Sequence, residues 1–116
     1  MKHTTDSFRL FMTETPETGK AFMDMVLKQA RVSALDRKTH ELAYISVLSA
    51  IRMTGGLDFH VRAAKASGAT RDETKSAVLV GLPVAGITLI DALAAALSAY
   101  DKPDCRTEEP EHPAPK

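Results

Sequence analysis

Cysteine is nearly missing from this chain: Cys105 is the only one in 116 residues. One thiol excludes an intramolecular disulfide framework, a cysteine-based zinc finger and a Cys-x-x-Cys redox pair. Tryptophan is absent and aromatics make up 5% of the chain, so no basic stripe interleaved with aromatics offers stacking platforms for bases. Net charge is absent too, with 15 Lys and Arg against 15 Asp and Glu. Nucleic-acid binders carry a basic face, so nucleic acid is not expected as a partner. The length suits one domain with one core and excludes a two-domain enzyme with its own nucleotide fold. Phosphate-binding loops, nucleophile elbows and dinucleotide fingerprints are also lacking, and no cofactor is expected.

What charge there is sits unevenly. The segment 101–116 holds five acids, three bases and four of the six prolines, leaving about +2 on the rest. It has no large apolar residue and cannot bury enough surface to offset its ordering entropy. The reading is therefore a helical domain over 1–100 and a disordered acidic, Pro-rich tail over 101–116. Cys105 lies in that tail, without the fixed surroundings that activate a thiol.

The segment Met1–Lys20 lacks the apolar core of a signal peptide, and a cytoplasmic location is expected. The long apolar stretch is C-terminal, with Asp91 the only charge from Ser76 to Ala99. It reaches the roughly 18–20 residues of a membrane helix. Asp91 near its middle, breaks at Gly81, Pro83 and Gly86, and its alanine content argue instead for a helix buried by neighbouring subunits.

Apolar residues recur at helical spacing and nowhere alternate with period two, which predicts an all-α fold of about six helices. The first covers Asp6–Met12, with Phe8, Phe11 and Met12 inward. Thr15-Pro16-Glu17 opens a second to about Ala30, packing Phe22, Met25 and Val26. Asp36 caps a third from Arg37 to about Met53. A fourth runs from Leu57 to Ser67 and stops at Gly68. Thr70-Arg71-Asp72-Glu73 has the capping-box pattern for a fifth, and Pro83 opens a sixth to about Tyr100. Methionine is concentrated early, which suits gap-filling in a core or an adaptable surface.

The third helix puts Glu41, Ile45, Leu48 and Arg52 on one stripe. A carboxylate among Ile and Leu is partly desolvated, which suits it to general-base work. The competing reading is a surface acid paired with Lys38 or Arg37 one turn away. His60 sits on a face of small residues that lets another helix approach, as a hydrogen-bonded core residue or as a catalyst. Asp58 opens the same helix and could cap it or orient His60, and Arg52 could hold a substrate carboxylate. Arg62 is a weaker candidate for that role. The spacing of His3, His40, His60 and His112 fits no metal-ligand pattern, so no metal site is expected. Asp91 needs a partner if buried, in a structural or substrate-facing role.

Three runs together resemble the carboxymuconolactone decarboxylase / alkylhydroperoxidase D-like family. They are Leu35-Asp36-Arg37-Lys38-Thr39-His40-Glu41-Leu42-Ala43, His60-Val61-Arg62-Ala63-Ala64-Lys65, and Gly68 through Lys75. Gly81-Leu82-Pro83-Val84-Ala85-Gly86 resembles the start of the family's later helix. The resemblance spans roughly 21–100 and includes the 19-residue step from Glu41 to His60. It implies a helical bundle assembled as a homotrimer or homohexamer. It also implies a site built on Glu41 and His60 for a small carboxylated lactone or keto acid. The family's peroxiredoxin-related branch carries Cys-x-x-Cys-x-x-x-His; its two cysteines fall here on Met53 and Gly56, so thiol peroxidase activity is not expected. The lyase branch places an acid four residues before the histidine, and that position is Gly56. A non-catalytic member that binds a small molecule or plays a structural role is the alternative.

Overall fold

A computed structural model of the chain describes residues 5–103. His3, Cys105, His112 and the other tail residues from 104 to 116 lie outside these residues. Everything regular among them is helical. The helices are α1 (Asp6–Glu14), α2 (Pro16–Val32), α3 (Arg37–Ala50), α4 (Leu57–Ala66), α5 (Arg71–Leu79), the single turn α6 (Leu82–Ala85) and α7 (Ile90–Asp101). Tight 3₁₀ turns occupy Thr54–Gly56 and Gly86–Leu89.

The helix starts follow local chemistry. Thr5 Oγ1 accepts from Phe8 N–H and opens α1, and Asp36 Oδ1 accepts from Thr39 N–H at 2.7 Å and opens α3. At α5, Thr70 and Glu73 satisfy each other's backbone N–H groups in a complete capping box. Thr15 precedes α2 with Pro16 in its first turn, but its hydroxyl turns back to Phe11 C=O and leaves the α2 N–H groups uncapped.

Two helix ends differ from expectation. The third helix stops at Ala50 rather than Met53, because Arg52 enters the left-handed region at φ 64. The predicted continuous sixth helix is instead α6, a 3₁₀ turn and α7, so the fold is close to six helices without matching that count. Gly86 takes φ 81 there, a conformation open to glycine that ends the helical ladder.

The core forms where α3, α4, α5 and α7 meet. Ile45 and Leu48 from α3, Leu57, Val61 and Ala64 from α4, and Val78 from α5 pack against Ala92, Ala96 and Ala99 of α7. The alanines recur at i, i+4 and i+7, a stripe that lets α7 come close to α4 and α5. Buried hydroxyls are satisfied locally: Ser49 donates to Ile45 C=O at 2.7 Å and Thr74 to Thr70 C=O.

The helical hairpin α1–α2 is held differently. Phe11 meets Phe22 edge-on at 5.9 Å, and Gly19 lets α2 approach Met12 more closely than any side chain there would allow. Gly19 is the only buried residue of α2. Phe22 and Met25, expected inside, are largely exposed, because α2 packs chiefly on α1 rather than on the core.

The end of α7 is fastened to the α4–α5 junction. Tyr100 Oη donates to Ala69 C=O, Lys65 Nζ donates to Tyr100 C=O and lies over its ring, and Arg71 makes two bonds to the Asp101 carboxylate. Arg62 donates to Pro103 C=O at 2.9 Å, so contacts with the helical body continue three residues past Tyr100.

Candidate functional site

Helix α3 turns its Glu41–Ile45–Leu48 face toward α4. Packing against Leu57 and Val61 buries that face, and Glu41 keeps only 8% of its surface. The next helix offers His60, one position before the buried Val61, with 19% of its side chain exposed. The two side chains meet: His60 Nδ1 lies 2.8 Å from Glu41 Oε1. The surface reading of Glu41 fails on the same geometry, since Lys38 bonds Glu73 of α5 at 3.1 Å instead.

Two rings frame the imidazole. Tyr44 stacks on it at a centroid distance of 3.9 Å with planes 13° apart, and Phe59 meets it edge-on at 5.0 Å. His40 in turn packs edge-on against Tyr44 at 6.1 Å. Sequence reasoning passed over Tyr44. The usable signal was its i+3 spacing from Glu41, which places it one turn along nearly the same face.

An ionised carboxylate only accepts, so this contact puts a proton on Nδ1 and leaves Nε2 as the imidazole's other polar atom. Nε2 has no hydrogen-bond partner among the described residues. The arrangement is therefore an oriented imidazole backed by a buried carboxylate, which can take up or deliver a proton at Nε2.

The other sequence candidates lie elsewhere. Arg52 is off the stripe, exposed beyond the end of α3. Asp58 sits about 200° around α4 from His60. Its carboxylate lies 3.5 Å from both Arg62 and Lys102, so it belongs with the C-terminal contacts. Asp91 is exposed in the first turn of α7, where an acid interacts favourably with the helix N-terminus. Met53 precedes the 3₁₀ turn before α4 and Gly56 ends it, and neither offers a thiolate. Among the described residues no three His, Cys, Asp or Glu side chains cluster as metal ligands would.

A shallow groove of about 430 Å³ runs between α3 and α5, lined in part by Leu42, Ser46, Glu73, Ser76 and Val80. Neither Glu41 nor His60 lines it. Groove and pair occupy different faces of α3.

The Glu41–His60 contact spans 19 residues and joins two consecutive core helices. A family model for the carboxymuconolactone decarboxylase family matches residues 16–99. The chain belongs to this family. No curated protein and no solved structure matches it. The matched region takes in α2 through most of α7 and with them the whole Glu41–His60–Tyr44 arrangement. Family membership agrees with the all-helical fold and leaves the reaction and its substrate to be argued from the site.

Proposed function

We propose that Glu41 and His60 form a proton-transfer site for a small carboxylated lactone or keto acid. The observation that carries this is the 2.8 Å contact between a buried carboxylate and an imidazole whose Nε2 is without a protein partner among the described residues. In the reaction the C–CO₂⁻ bond of the substrate breaks and its electron pair passes into the adjoining carbonyl system. His60, carrying a second proton that Nε2 has taken up from water, gives that proton to the resulting carbanion carbon and returns to its neutral form. Glu41 orients the ring through Nδ1 and faces the charge that the ring carries before transfer. No thiol peroxidase step is proposed, because Met53 and Gly56 stand where that branch needs its cysteines.

A second reading has its own support. Gly56 stands where the lyase branch has an acid, and the α3–α5 groove excludes the pair. Both features favour a member that binds without turnover. We further propose that the chain works as a homo-oligomer, a trimer or hexamer. Val80, Val84, Ile87 and Ile90 all lie exposed within the eleven residues from the end of α5 to the start of α7, Val84 at 93%, and exposed apolar residues in such number favour burial against another surface. By length and composition the span Arg71–Asp101 is also apolar enough to cross a membrane; self-assembly is the burial we propose for it.

The test is a screen of small carboxylated lactones and keto acids for CO₂ release, with His60→Ala alongside. Turnover by the wild type that falls at least about 100-fold in His60→Ala supports the proton-transfer site. No turnover by either protein supports the non-catalytic reading, and equal turnover by both overturns the role of His60. Peroxide turnover with a dithiol reductant would overturn the exclusion of redox chemistry.

A further inference from the structure

Hydrogen bonding to Glu41 fixes one atom of the imidazole, and a single contact leaves the ring free to tilt and to swing about its Cβ–Cγ bond. The orientation of Nε2 therefore needs a second constraint. The stack with Tyr44, at 3.9 Å and 13°, supplies a flat surface parallel to the ring. Phe59 blocks movement from a third direction, edge-on at 5.0 Å. Glu41 and Tyr44 come from adjacent turns of the same rigid helix, so the carboxylate and the stacking surface are set relative to each other by α3 itself. Tyr44 also packs against the core cluster from its partly buried position, which holds the phenol ring in place.

We infer that Tyr44 is the positioning residue for His60: its ring locks the imidazole in the rotamer that keeps Nδ1 on Glu41 and Nε2 available. The inference rests on the proton-transfer reading for its purpose, but the lock itself is read without any substrate. It is the phenol's ring that acts, through its face, and the hydroxyl is not required.

The experiment is ¹⁵N NMR of selectively labelled His60 in the wild type, Tyr44→Phe and Tyr44→Leu at a pH where the ring is neutral. Amide spectra confirm that each variant is folded. The wild type is expected to show one tautomer, with the proton on Nδ1. Tyr44→Phe keeps the face and should retain that pattern. Tyr44→Leu removes the face, and the population of the other tautomer should rise about 2- to 10-fold, the weight of one aromatic pair. An unchanged tautomer in Tyr44→Leu would overturn the assignment, and so would a loss in Tyr44→Phe equal to that in Tyr44→Leu. Failure of the turnover screen with the lock intact would count against the proton-transfer reading alone.

Discussion

Arg52 and Gly68 occupy the same position in two matching helix ends. After α4, Ala69 N–H reaches Ala64 C=O and Gly68 N–H reaches Lys65 C=O, with Gly68 at φ 101. After α3, Met53 N–H reaches Leu48 C=O and Arg52 N–H reaches Ser49 C=O, with Arg52 at φ 64. Both are Schellman endings, and glycine is the residue that enters them without a Cβ clash. Replacing Arg52 with Gly is therefore expected to stabilise the chain by about 0.5–1 kcal/mol, read as a rise in the urea midpoint at constant slope. Loss of stability in that variant would mean that the Arg52 side chain contributes more than its backbone strain costs. The same residue explains part of what sequence reading missed. Period and composition carry no mark of a non-glycine residue with positive φ, so periodicity alone extends α3 three residues too far and puts Arg52 on the Glu41 stripe. Glu41 and His60 were legible because each lies on a face shared with apolar or small residues. Tyr44 was not, since an aromatic at helical spacing reads as ordinary core.

At the scale of the helices, caps were the most legible feature. Asp36, Thr70 and Gly68 use short-range chemistry that acts wherever these residues stand. The fate of the apolar C-terminal stretch was less legible, because a Pro-x-x-Gly run permits either a helix start or a break, and only Gly86 at φ 81 decides for a break before α7. The alanine stripe of α7 makes a sharp prediction. Ala96 is fully buried against α4 and α5, so Ala96→Leu should destabilise the fold by about 1–3 kcal/mol in chemical denaturation through overpacking. A change below about 0.5 kcal/mol would mean that α7 packs more loosely than its alanines imply. The hairpin α1–α2 behaves oppositely. It packs chiefly on itself and leaves Leu10, Met25, Leu27 and Val32 exposed. Its amides should exchange with solvent faster than those of α3, α4 and α7 in dilute protein. If assembly covers the hairpin, its protection will rise with protein concentration.

The molecule as a whole is charge-balanced, and its perturbed carboxylates share one direction. The Arg71 guanidinium holds the Asp101 carboxyl below its usual range. The Thr70 N–H does the same for Glu73, helped by Lys38, and the Thr39 N–H does so for Asp36. Groups whose pKa is lower in the folded chain contribute stability above their unfolded values. That contribution is lost as pH falls through their folded values. Stability should therefore hold from neutrality down to about pH 4–5 and decline below it, on the acid side of ordinary carboxylates. Thermal unfolding followed across pH 3 to 7 checks this, and Arg71→Ala should flatten part of the acid limb. At this scale Val84 and Ile87 are the most exposed large apolar side chains among the described residues, at 93% and 71%.

If Glu41 acts through His60, removing either side chain disables the same step. The most direct measurement compares CO₂ release from the same panel of carboxylated lactones and keto acids by wild type, Glu41→Gln and His60→Ala, taken as kcat/KM. A proton-transfer pair predicts that both substitutions lower kcat/KM by about 100-fold or more, with the double variant no worse than His60→Ala. Full activity in both single variants, or activity that survives in His60→Ala alone, would contradict it.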